Sequence, residues 1–267
     1  MGLRHQEVKS ANIPYGVASY SRTATTPSVA LLLKPADNIS VYGSYIQGLA
    51  QGDTAPLLTT NPNILNPGEV LPPYKTRQKE IGIKYDGGGF GATVALFSIE
   101  RPSAAVGPDN YFRVHGQQHN QGLEMSLFGE PMHGLRLLGG LTYIDARLRK
   151  TPDGVNEGNP ATGVPNYLAK LNVEWDVPGV PGLTLTGRVT RMSKQYVNPT
   201  NTLSIPGYTL WDAGARYAMK VGGKDVTLRA SVANLTNKAY WASASYLSPG
   251  VYLGAPRTVL LSASMDF

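Results

Sequence analysis

The chain lacks cysteine altogether, which excludes a disulfide framework and a thiolate metal site. No run of about 18 apolar residues occurs, so the sequence has no transmembrane helix. That absence leaves a membrane possible, because a β-barrel crosses lipid with alternating strands of about 10 residues and modest mean hydropathy. Charge is sparse, with 16% charged against 42% hydrophobic residues, yet this is not a disordered composition. The formal net charge of +6 comes from scattered rather than clustered Lys and Arg, so no nucleic-acid footprint is present. The first residues, MGLRHQEVKS, have no apolar core of a signal peptide. Helical periodicity is weak throughout.

What the chain does have is period-2 alternation, repeated many times. The clearest case is 166–177, where Tyr167, Ala169, Leu171, Val173 and Trp175 alternate with Lys170, Asn172, Glu174 and Asp176. Further strands are expected at about 2–10, 26–35, 38–48, 76–86, 89–101, 111–129, 134–148, 182–196, 207–219 and 224–236. A last one closes the chain, where Val259, Leu261, Ala263, Met265 and Phe267 alternate with Thr258, Ser262, Ser264 and Asp266. That makes about twelve strands, most with one charged and one uncharged face. Short turns (KPADN 34–38, DGGG 86–89, EPMHG 130–134, DVPGVPG 176–182, VGGKD 221–225) alternate with long polar connections at about 49–75, 102–110, 149–165, 197–206 and 237–256. A meander with tight turns at one end and long loops at the other predicts an antiparallel transmembrane β-barrel. Trp175 and Tyr85 beside tight turns, and Tyr45, Tyr143, Tyr196 and Tyr240 near long loops, fit two aromatic girdles.

No catalytic constellation emerges. The sequence contains no phosphate-cradling GxxxxGK, and Gly87, Gly88 and Gly89 precede no helix. His115 and His119 would share one face of a continuous strand about 13 Å apart, too far for a single metal ion. We therefore expect neither a catalytic site nor a metal site.

Several segments together resemble the C-terminal part of a TonB-dependent siderophore receptor. They include KPADNISVYGSY (34–45), PPYKTRQKEIGIKYD (72–86), ATVALFSIERPSA (92–104) and GLEMSLFGEPMHGLRLLGGLTYIDARL (122–148). NVEWDVPGVPGLTLTGRV (172–189), IPGYTLWDAGARY (205–217), VANLTNKAYW (232–241) and GAPRTVLLSASMDF (254–267) continue the match. The resemblance implies a 22-stranded outer-membrane barrel plugged by an N-terminal domain. Residues 1–267 would then be a partial barrel without that plug or the TonB-contacting segment. It implies uptake of ferric siderophores, with iron arriving already chelated, so no cofactor is expected. The implied partners are the ferric siderophore, the receptor's own plug and TonB system, outer-membrane lipid and the barrel assembly machinery, for which Phe267 would be the C-terminal signal. No nucleic-acid partner is implied. Aromatic residues in the long loops, Tyr111, Tyr196, Tyr246 and Tyr252, are the candidate ligand contacts, because they offer large, stiff contact area. Arg188, Arg216, Arg229, Lys170, Glu80, Lys84, Glu124, Asp212, Asn172 and Glu174 are expected on the inner wall. The alternative is a self-standing twelve-stranded channel, since an even number of strands can close alone.

Overall fold

The computed structural model of the chain describes residues 1–12, 17–245 and 250–265. It is all-β, apart from one short 3-10 turn at Pro152–Gly154. The strands are β1 (Gly2–Asn12), β2 (Val17–Ala36), β3 (Ile39–Ala50), β4 (Tyr74–Asp86), β5 (Phe90–Val106) and β6 (Phe112–Met132). They continue as β7 (Leu135–Lys150), β8 (Tyr167–Asp176), β9 (Leu183–Met192), β10 (Gln195–Tyr196) and β11 (Ser204–Ile205). The last are β12 (Tyr208–Val221), β13 (Lys224–Ala233), β14 (Trp241–Ser245), β15 (Gly250–Leu253) and β16 (Thr258–Met265). Twelve of them form one antiparallel sheet in the order β1-β2-β3-β4-β5-β6-β7-β8-β9-β12-β13-β16. This is the expected meander. β1 and β16 do not pair with one another among the described residues, so the twelve strands form an open ladder rather than the self-closed channel of the alternative reading.

The register joins the apolar positions of successive strands into one face. Leu31 lies beside Gly43, Val41 beside Ile83, and Ile83 beside Val94. Val94 meets Met125, Met125 meets Leu141, and Leu141 meets Ala169. Leu171 meets Val189, Val189 meets Trp211, Ala213 meets Val232, and Val232 meets Val259. Paired residues of an antiparallel ladder point the same way, so one face is apolar across the whole sheet. That face is bare: Leu31 is 65% exposed, Ile81 58%, Leu96 57% and Leu261 78%. No water-soluble sheet leaves so large an apolar surface uncovered. On β8 it runs from Tyr167 to Trp175, eight residue steps. At about 3.3 Å per residue and a tilt near 40° this gives a belt about 20 Å tall, close to the hydrocarbon band of a membrane barrel.

The opposite face carries the expected inner-wall charges, and many are paired. Arg136 forks onto Asp176 with two bonds of 2.7 Å and reaches Glu174 at 3.2 Å. Arg216 lies 3.5 Å from Glu174, and Thr184 donates to Asp176 at 2.7 Å. Arg188 pairs with Asp212 at 2.5 Å, whose other oxygen accepts the Asn234 N–H at 2.7 Å. Near β3, Tyr42 donates to Glu80 at 2.6 Å while Lys84 lies 4.9 Å over the Tyr42 ring. Buried charge is tolerated only when neutralised in this way or wetted.

Three local expectations change. β5 runs on to Val106 and β6 starts at Phe112, so the supposed long loop 102–110 is mostly hairpin. Ser103 faces Gly116 and Ala104 faces Val114, leaving His115 in a bulge of β6, so the run from His115 to His119 is not a regular strand. The polar stretch 197–206 contains β11, which pairs with β10 just before it, and 237–256 contains the short pair β14–β15.

The apolar belt yields a quantitative expectation. Val94→Arg, near mid-belt, should cost about 2–4 kcal/mol of folding stability in lipid vesicles, whereas Ser98→Arg at the belt's edge should cost about 0–1. Denaturant titration of vesicle-inserted protein measures both, and equal costs would contradict a lipid-facing belt.

Candidate functional site

All the long connections leave the sheet at one end, and there they build two packed assemblies. The first joins residues 51–73 to the β5–β6 turn. Its core is Ala55, Ile64, Leu71, Tyr74 and Phe112, with Ala50, Ala104 and Val106 packed against it. The loop holds itself through Ala55 N–H to Glu69 O at 2.8 Å and Leu71 N–H to Asp53 O at 3.0 Å. Gly52 lies so close to the Leu71 carbonyl that a Cβ would approach within 2.2 Å of it, so only glycine fits. Asn66 then fastens the loop to its neighbour, because its side chain accepts the Phe112 N–H and donates to the Phe112 carbonyl, both at 2.8 Å. Leu65 N–H adds a bond to Asn110 O at 2.9 Å.

The second assembly joins 151–166, 193–206 and 238–257. Asn159 donates to Pro199 O at 2.9 Å, Asn201 to Pro160 O at 3.0 Å, and the Gly163 N–H to Tyr196 O at 2.9 Å. Gln195, only 3% exposed, accepts the Ala244 N–H at 3.4 Å. Asn234 closes the base of the last loop by donating to Lys238 O and Ala255 O and accepting the Lys238 N–H. Tyr240 packs against Tyr208 with ring centroids 4.4 Å apart and the rings tilted by 49°, and Gly254 abuts its ring, so this tyrosine helps to pack the loop.

The four candidate tyrosines divide between these assemblies. Tyr111 sits 43% exposed in the turn of the first one. Tyr196 is half-buried in β10 of the second, with Lys194 Nζ 4.9 Å over its ring. Tyr252, in β15, is 57% exposed and opposite Ser243. The structure thus puts Tyr196 and Tyr252 in one packed unit and Tyr111 in the other. Tyr246 and Phe267 lie outside the described residues. The fasteners Asn66, Asn159, Gln195 and Asn201 were not anticipated. Of these only Asn201 had a conformational signal: among the described residues the non-glycine positions with positive φ, Asn110, Asp153, Asn156, Asn201, Asn234 and Asn237, are asparagine or aspartate and lie at the long-loop end.

The turn carrying Tyr111 has its own electrostatics. Asp109 pairs with Arg113 at 2.5 Å and accepts the Tyr111 N–H at 3.4 Å, and Arg113 also donates to His115. Desolvation raises the Asp109 pKa, but the Tyr111 N–H and the Arg113 guanidinium outweigh it and hold the carboxyl below its ordinary value. Among the described residues no group of three or more His, Asp or Glu is placed to hold a metal ion.

A bare apolar belt, a charged inner wall and long structured loops at one end define a transmembrane β-barrel wall. The family model described as TonB dependent receptor-like, beta-barrel, matches residues 1–235, and the chain belongs to that family of outer-membrane proteins. It is 39% identical to the ferrichrome receptor FcuA of Yersinia enterocolitica, over 100% of this chain and 36% of that protein. It is 30% identical to the ferrioxamine B receptor of Salmonella typhimurium, over 75% of this chain and 29% of that one. Among solved structures, BauA, the ferric preacinetobactin receptor of Acinetobacter baumannii, superposes with a TM-score of 0.84 at 48% identity. That match covers 99% of this chain and 40% of BauA. The chain therefore spans well under half the length of these relatives.

Asn66→Ala should unfasten the first assembly. Amide hydrogen exchange at Phe112 should then quicken roughly 10- to 100-fold, the rate equivalent of one unsatisfied buried pair. A depressed carboxyl pKa stabilises above its ordinary range and loses that contribution as pH falls through the folded-state value. Acidification below the ordinary carboxylate range should accordingly loosen the turn at 107–111, and Asp109→Asn should abolish that pH dependence in the exchange rate of the Tyr111 amide.

Proposed function

We propose that this chain forms barrel wall and part of the outer recognition surface of a receptor that imports ferric siderophores with energy delivered through TonB. The observation that carries the reading is the similarity over the whole chain to a ferrichrome receptor, together with the pre-packed aromatic loops at one end. Relatives named for ferrichrome, ferrioxamine B and ferric preacinetobactin share a bulky iron chelate as ligand. Tyr111, Tyr196, Tyr246 and Tyr252 are the proposed contacts, since stiff aromatic faces lose little entropy on meeting such a ligand. Iron stays within its chelate, so the protein supplies no metal ligand and no cofactor. In this reading the chain catalyses no reaction.

The charged inner wall supports a reading in which the receptor's plug packs against it. Charges such as Glu80, Lys84, Glu124 and Arg229 line it, and the receptor's plug would rest there and shift when TonB pulls. Phe267 would serve the barrel assembly machinery as the C-terminal signal, and the belt would meet outer-membrane lipid.

The test is uptake of radioactive iron from a panel of hydroxamate, catecholate and mixed siderophores by cells carrying or lacking the gene. At least one chelate should depend on the gene and on an intact TonB system. For that chelate, Tyr252→Ala or Tyr111→Ala should weaken binding about 10-fold, as truncating an aromatic anchor does. Gene-independent uptake of every chelate would exclude the proposal.

A further inference from the structure

Alternation of apolar and polar residues leaves the register of neighbouring strands underdetermined. A slip of one residue turns the apolar set inward, but a slip of two returns every side chain to its own face. Between β3 and β4, Val41 would then meet Ile81 or Tyr85 in place of Ile83, and apolar would still face apolar. Where a short turn joins two strands, the turn itself fixes the register. β2–β3, β4–β5, β6–β7 and β12–β13 are joined in this way, with two or three residues between strands. Between β3 and β4 no such turn exists, because residues 51–73 intervene.

The inner face supplies what that joint lacks. Gly82 is the direct ladder partner of Tyr42, and the tyrosine ring covers it: a Cβ on Gly82 would come within 2.6 Å of the ring. The ring is tethered in place. Its hydroxyl donates to Glu80 at 2.6 Å, and Lys84 Nζ lies 4.9 Å from its centre. Glu80 and Lys84 are also the inner-face residues on either side of Gly82. A slip of two residues in either direction puts one of them where the glycine now sits, and the ring loses its place. β5 and β6 repeat the arrangement. Phe128 lies on its partner Gly91, 2.6 Å from where a Cβ would stand. Phe97 lies on its partner Gly122, which the Tyr143 carbonyl crowds as well. Across β7–β8 and β9–β12 the direct partners are charge pairs instead, Arg136 with Glu174 and Arg188 with Asp212.

We propose that such inner-face pairs set the register of strands that no tight turn joins, and that Gly82, as the seat of the Tyr42 ring, does so for β3 and β4. The outer loops depend on it. Ala50 and Tyr74 are direct partners at the loop end of this ladder. Tyr74 belongs to the apolar centre of the first assembly and Ala50 packs against that centre, so a slip would pull its base apart.

The test places pairs of thiols in the full-length protein, since the chain has no cysteine of its own. Gln47 and Arg77 are direct partners on the outward face. Direct partners lie about 4.5–5.5 Å apart, within disulfide reach, whereas an offset of two residues gives about 7–8 Å. Gln47→Cys is combined in turn with Lys75→Cys, Arg77→Cys or Lys79→Cys, and oxidised protein from outer membranes is digested and read by mass spectrometry. With the seat intact, only the 47–77 disulfide should form. Valine ordinarily suits a strand better than glycine. Gly82→Val should nevertheless lose the 47–77 disulfide, either by gaining 47–75 or 47–79 or by failing to insert. Gly43→Val, where a Cβ meets nothing closer than 3.9 Å, should keep it. The exchange Tyr42→Gly/Gly82→Tyr rebuilds the seat with ring and glycine on opposite strands and should form 47–77 again. An unchanged 47–77 disulfide in Gly82→Val, its loss in Gly43→Val, or its absence from the exchange variant would each overturn the proposal.

Discussion

A peptide group in hydrocarbon has no water to bond to, so every N–H and C=O in the membrane must find a partner within the ladder. That requirement explains why the long strands are antiparallel neighbours in chain order and why the connections at one end are so short. It also explains how a chain with 42% hydrophobic residues can carry so few buried side chains. Within the sheet that crosses the membrane the apolar residues form no core. They line one face and turn outward, and the polar face turns inward, where ion pairs such as Arg136 with Asp176 neutralise the charges. This is the reverse of a soluble sheet, and it is what assigns the two faces their solvents.

Beyond the belt the constraint changes. Loops in water need no ladder, yet these are not loose. The first assembly has a small apolar centre, and both are closed by side-chain amides that bond to backbone groups of a neighbouring loop. Asn66 on Phe112, Asn201 on Pro160 and Gln195 on Ala244 are bonds of this kind. A ligand meeting such a surface loses little free energy in ordering it.

The sheet was largely legible in the sequence because its two faces have different solvents along every strand. Period-2 alternation in 166–177 or 224–236 is a direct imprint of lipid on one side and water on the other. Where that contrast ends, legibility ends. β2 reaches back to Val17 and β5 on to Val106, past the belt, where both faces are wet and alternation fades. β10 and β11 have two residues each, too few to show any period. The bulge at His115 shifts register by one residue, which no composition announces. At the candidate site the tyrosines were visible as residue types, but their division into two assemblies depends on contacts between loops far apart in sequence. The long-range partners of Asn66 and Asn201 lie some 40 residues away.

The interlocked second assembly bears on how such a surface can vary. Loop 151–166 leans on 193–206, which in turn holds 238–257 through Gln195. A change of specificity in any one of them alters the footing of the others. Exchange of a single loop between related receptors should therefore damage the donor loop's shape, whereas exchange of all three as one cassette carries its own fasteners along. Inheritance of specificity in this region is then modular at the level of the trio, not of the individual loop.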